Sequence, residues 1–141
     1  MKLRKRFAAM CAAAVMALGT LGIEANAAGY VYICSTSGGK VVYQFSNIDS
    51  TGYTSKDRFK VNYSGAHTVS YTPTAGSSTT ITFIRGASTP DFSIIIPAQA
   101  PGMPSTLSNP YTFNTSYVYK IFAISGGSTT GNVTINNATE Y

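Results

Sequence analysis

The chain has 141 residues, of which only 11% are charged, with two cysteines, one histidine and no tryptophan. Its formal charge of +5 points to a polyanion-binding protein only until the positions are inspected, because Lys2, Arg4, Lys5 and Arg6 crowd the extreme N-terminus. Beyond residue 27, six basic side chains (Lys40, Lys56, Arg58, Lys60, Arg85, Lys120) stand against four acidic ones (Asp49, Asp57, Asp91, Glu140), a net of +2, and nucleic-acid binding driven by bulk charge is excluded.

The basic head is followed by an apolar run from Phe7 to Ile23 and then by Ala25-Asn26-Ala27, a small-x-small site. This three-part pattern reads as a cleavable secretory signal peptide over residues 1–27. Residues 28–141 are then a single secreted domain, with membrane contact only through the signal. Cleavage removes Cys11 and leaves Cys34 as a lone cysteine, read as a buried small apolar side chain. With no disulfide framework, the hydrophobic core must hold the fold by itself.

No segment of the mature chain carries apolar residues at helical spacing over three turns. Period-two alternation recurs instead, the mark of half-buried strands. Tyr30 to Cys34 is a short candidate strand. Val41, Tyr43 and Phe45 share a face, and so do Phe59, Val61 and Tyr63. Val69 and Tyr71 alternate with Thr68, Ser70 and Thr72, and Ile81 and Phe83 with Thr80 and Thr82. Phe92, Ile94 and Ile96 follow, then Tyr111 to Asn114. Tyr117, Tyr119 and Ile121 oppose Val118, Lys120 and Phe122, which suggests a strand covered on both faces. Val133 and Ile135 close the series. Gly- and Ser-rich links such as Ser37-Gly38-Gly39 and Ser64-Gly65-Ala66 separate the runs.

From Pro97 to Pro110 the chain carries four prolines, which predicts a long loop, either a functional loop or a crossover between sheets. The expected fold is an all-β antiparallel β-sandwich, Ig-like or jelly-roll-like, of about eight or nine short strands.

Chemistry is sparse in this sequence. No spacing of His, Cys, Asp and Glu matches a metal site, and no Gly-x-Ser-x-Gly elbow or phosphate loop occurs. His67 falls at a strand start and is expected to be exposed or to cap a loop. Asp49 and Asp57 are expected to form turns. Neither catalytic residues nor a cofactor is predicted, and the chain reads as a non-enzyme.

Most tyrosines occupy inward-facing positions. Tyr53 is an exception, set in the Asp49–Asp57 loop beside Lys56. Together with Arg58 and Lys60 on the following strand, these residues form the candidate binding surface: Tyr53, Lys56, Arg58 and Lys60. The function expected is a non-catalytic binding or cell-surface interaction module, with a cell-wall glycan or another surface protein as partner. The alternatives are a membrane-active toxin or bacteriocin-like protein and a self-assembling surface protein.

Overall fold

The computed structural model describes residues 29–72, 74–75, 77–99 and 106–141. Residues 1–27, the expected signal peptide, lie outside the described residues. The strands are β1 (Tyr30–Ser35), β2 (Lys40–Ile48), β3 (Tyr53–Thr54), β4 (Phe59–Val61), β5 (Gly65–Tyr71), β6 (Thr74–Ala75), β7 (Thr79–Arg85), β8 (Thr89–Ile96), β9 (Ala98–Gln99), β10 (Leu107–Phe113), β11 (Tyr119–Ser125), β12 (Thr129–Asn136) and β13 (Ala138–Glu140). Eight of them reach six residues or more, in line with the expected count.

Two antiparallel sheets form the sandwich. One runs β1-β2-β12-β5-β10, and the other runs β13-β4-β11-β7-β8, with β3 also paired to β11. The all-β sandwich read from the alternation is therefore the observed fold.

The alternation places its apolar set in the space between the sheets. Val41, Tyr43 and Phe45 of β2 are fully buried, as are Ile81 and Phe83 of β7 and Val133 and Ile135 of β12. Burying one such side chain is worth about 1.5–3 kcal/mol, and the rows together supply the main driving force.

Phe59 sits at the centre. Its ring stacks on Tyr119 at 5.5 Å and meets Tyr43, Phe113 and Phe83 edge-on at 5.9, 5.7 and 6.3 Å. Two buried hydroxyls add a polar link between the sheets, Thr79 Oγ1 to Thr129 Oγ1 at 2.8 Å.

Four expectations need correction. Tyr63 is 47% exposed, because β4 ends at Val61 and the chain leaves the sheet before Tyr63. Tyr117 is likewise an exposed residue, since β11 begins only at Tyr119. The loop from Pro97 to Pro110 is shorter than predicted: β9 occupies Ala98–Gln99, and Pro110 lies within β10. That strand is an edge of its sheet, where a missing N–H costs no ladder bond. Cys34 is buried as expected but is not a lone thiol, because its sulfur is in a disulfide bond. The expectation rested on losing Cys11, which falls outside the described residues.

The outer strands are blunted against pairing with other chains. β10 carries Pro110, and β8 carries Pro90 with a register shift opposite Phe83 and Ile84. β13 has only three residues. β1 has a register shift between Ile33 and Ser35, and the Ile33 N–H is held by the Asp57 carboxylate at 2.8 Å.

Candidate functional site

Strand β1 and the segment from Asp49 to Asp57 come together on one side of the sandwich. The local sequence explains how. Asp49 Oδ1 accepts the Thr51 N–H at 2.8 Å, the side-chain turn expected of this residue. Its carbonyl accepts from Gly52 N–H at 3.3 Å and from Ser125 N–H at 3.1 Å. Gly52 adopts φ +77°, and a Cβ there would run into the Phe122 ring, so glycine is required twice over.

The chain then runs along β11, with Tyr53 opposite Ala123 and Thr54 opposite Phe122. Ser55 is buried, donates its N–H to the Ile121 carbonyl at 2.8 Å and donates its hydroxyl to the Asp57 carbonyl at 2.7 Å. The same carbonyl accepts the Tyr43 hydroxyl at 3.0 Å. Burial pushes the Tyr43 phenol far above its ordinary range, so this donor keeps its proton.

On the facing side, Val31 points into the core opposite Phe45, which turns Tyr30 and Tyr32 outward. Their rings lie 5.3 Å apart. Tyr32 donates its hydroxyl to Gln44 Oε1 at 2.9 Å. Its phenol is raised in pKa, chiefly by burial and secondarily by Tyr30.

Between the two segments lies an open groove of about 330 Å³, lined by Gly29, Tyr30, Val31, Tyr32, Tyr53, Thr54, Lys56 and Asp57. The Tyr53 ring fits against Gly29 so closely that a Cβ at that position would overlap it. Its hydroxyl donates to Asp49 Oδ2 at 3.3 Å. Tyr53 is thus pinned at its ring and at its tip, half-buried rather than free.

Of the four residues singled out in the sequence, Tyr53 and Lys56 line this groove. Arg58 and Lys60 do not: Arg58 is exposed just ahead of β4, and the Lys60 ammonium sits 4.9 Å from the centre of the Tyr141 ring. Tyr30, Tyr32 and Asp57 are additional lining residues. The signal for the first two was present, since the order Tyr-Val-Tyr-Ile with Val31 inward places both tyrosines outside.

His67 corrects another expectation. It is 1% exposed, not at the surface. Its Nδ1 lies 3.0 Å from the Asn136 carbonyl oxygen and its Nε2 lies 2.7 Å from that of Tyr63. The ring stacks on Tyr63 at 4.2 Å and meets Phe113 edge-on at 5.7 Å. Its position is that of a core strut, two residues before Val69 on the inward face of β5.

The Asp49 turn carries a pH signature. The hydrogen bond from the Thr51 N–H, more than any other influence, holds the Asp49 carboxyl below the usual carboxylate range. A depressed folded-state value means the contribution is complete above the unfolded-state value and is lost as pH falls through the lower folded one. The Thr51 amide resonance is therefore expected to titrate with a midpoint below the ordinary aspartate range. In Asp49→Asn, which retains the Oδ1 acceptor without the charge, that titration should vanish. A midpoint above the ordinary aspartate range in an NMR titration would contradict the assignment.

No family model matches the chain, and no curated protein matches it. A solved structure described as "CBM4 structure and function" is similar over 87% of this chain and 81% of that one, at 14% sequence identity and a TM-score of 0.43. At that identity and score the likeness bears on neither ligand nor site.

Proposed function

We propose that the protein is an exported, non-catalytic binding module that recognises a saccharide in the groove between β1 and residues 53–57. The observation that carries this reading is the lining itself, three tyrosines with one lysine and one aspartate around an open space of about 330 Å³. Tyrosine offers a flat apolar ring for the C–H face of a sugar and a polar tip for its hydroxyls. The groove is pre-formed, because Tyr53 and Asp57 are both held by hydrogen bonds before any ligand arrives.

The groups that chemistry would need are engaged in structure. His67 is buried between two carbonyls, Asp49 closes a turn, and one Asp57 oxygen holds the Ile33 N–H. The blunted outer strands favour a module that meets a ligand over one that polymerises through its edges.

Pull-down on insoluble cell-wall polysaccharide and on a glycan panel tests the reading. Tyr53→Ala is expected to weaken retention about tenfold, the equivalent of about 1.4 kcal/mol, when both proteins are compared well below the variant's own unfolding midpoint, which the lost packing of the ring lowers. Equal retention of parent and variant would remove the groove from the proposal, and failure to bind any glycan would remove the saccharide.

A further inference from the structure

The hydrogen-bonding character of the groove narrows the ligand. A phenol has a single proton to donate. The Tyr32 proton goes to Gln44 Oε1 at 2.9 Å, and the Tyr53 proton goes to Asp49 Oδ2 at 3.3 Å. With those protons spent, each of these two lining residues has only an accepting phenol oxygen to offer a ligand. Asp57, as a carboxylate, only accepts, and one of its oxygens is already taken by Ile33 N–H.

Ile33 directs its N–H away from β2, so Val31, two residues earlier on the same edge, offers one N–H and one C=O in that direction. Lys56 is exposed and is the single cationic side chain of the lining. The Tyr30 and Thr54 hydroxyls can each donate or accept, whereas the Tyr32, Tyr53 and Asp57 oxygens can only accept, and the two formal charges of the lining, on adjacent residues, cancel.

An anionic polymer brings acceptors and negative charge. Its carboxylate or phosphate groups would meet Lys56 favourably, but they would be repelled by the adjacent Asp57 carboxylate and, unlike a sugar hydroxyl, have no proton to donate to it or to the two phenol oxygens. An uncharged sugar brings several O–H donors for those acceptors and an apolar face for the rings.

Resting on the saccharide reading above, we infer that the groove selects an uncharged, hydroxyl-rich glycan and discriminates against uronate- or phosphate-bearing polymers. Lys56 then serves as a local donor to a sugar oxygen and not as the anchor for an anion.

Calorimetric or NMR titration of the purified protein separates the possibilities. The probes are cellohexaose, laminarihexaose and an N-acetylglucosamine hexamer as neutral chains, with hexagalacturonate and poly(glycerol phosphate) as anionic ones. At least one neutral chain is expected to bind with little change between low and high salt, and the anionic ones at least about tenfold more weakly.

Asp57→Asn should narrow that discrimination by admitting the anionic chains. Tyr53→Phe, which keeps the ring and loses the acceptor oxygen, should weaken the neutral chain about threefold or more. Preferential, salt-sensitive binding of an anionic probe would overturn the inference while leaving saccharide binding intact. Equal binding of both kinds would overturn it as well. Binding of none of them would overturn both the inference and the reading beneath it.

Discussion

Phe59→Ala is expected to destabilise the protein by about 3–5 kcal/mol, the range found for removing a large aromatic side chain from a packed core. Phe59 is fully buried, and four aromatic rings, Tyr43, Phe83, Phe113 and Tyr119, surround it within 6.3 Å. Those rings belong to both sheets, so the cavity would open at the join of the two layers, where neither can collapse without shifting its hydrogen-bonded register. Against a total stability of order 5–15 kcal/mol, the loss is a large share of what holds the domain folded. Urea unfolding followed by tyrosine fluorescence or circular dichroism reads the effect as a fall in midpoint at nearly unchanged slope. A loss below about 1 kcal/mol would mean that the aromatic cluster repacks around the gap, and would deny Phe59 its central place.

His67→Leu is expected to cost about 2–4 kcal/mol, although the substitution preserves bulk and increases hydrophobicity. The reason is polar. The imidazole is almost wholly buried, with both ring nitrogens at hydrogen-bonding distance from carbonyl oxygens, of Asn136 on one side and Tyr63 on the other. Leucine would present no donor to the carbonyl that accepts the imidazole N–H, at about 1–3 kcal/mol for the group left unsatisfied, and the stacking on Tyr63 would be lost with it. The measured quantity is again the unfolding midpoint. If His67 served chemistry instead of structure, the variant would unfold where the parent does. Stability equal to the parent's would show that solvent replaces the lost donor and that the histidine is dispensable to the fold.

The two cases show where local pattern is a sound guide. Strands β2, β5, β7 and β12 were legible because a strand with one buried face must alternate, and their inward residues are the core residues. His67 belongs to the same register as Val69 and Tyr71, so its burial was written in the alternation. The expectation of exposure came from the residue type and from the turn before it. Tyr63 and Tyr117 continued the alternating pattern beyond the points where their strands stop, and nothing in the local sequence marks the loss of a partner strand.

The groove was legible only in part. Tyr53 and Lys56 stood out because a tyrosine and a lysine lie in a loop bounded by aspartates. Arg58 and Lys60 were grouped with them by proximity in sequence, yet Lys60 is drawn to the Tyr141 ring at the end of the chain. Tyr30, Tyr32 and Asp57 joined the lining through contacts across 20 residues or more, such as the bond from Ile33 N–H to the Asp57 carboxylate.

By itself, the sequence determined the all-β class, the sandwich, the inward rows of the long strands and the scarcity of catalytic groups, since each follows from composition or from a period of two along the chain. The tertiary structure decided which strands form edges, where strands end, that His67 is a strut and that β1 meets the Asp49–Asp57 segment to enclose a groove. Those outcomes depend on which distant segments become neighbours, and period-two patterning gives each strand an inner and an outer face without naming the strand beside it.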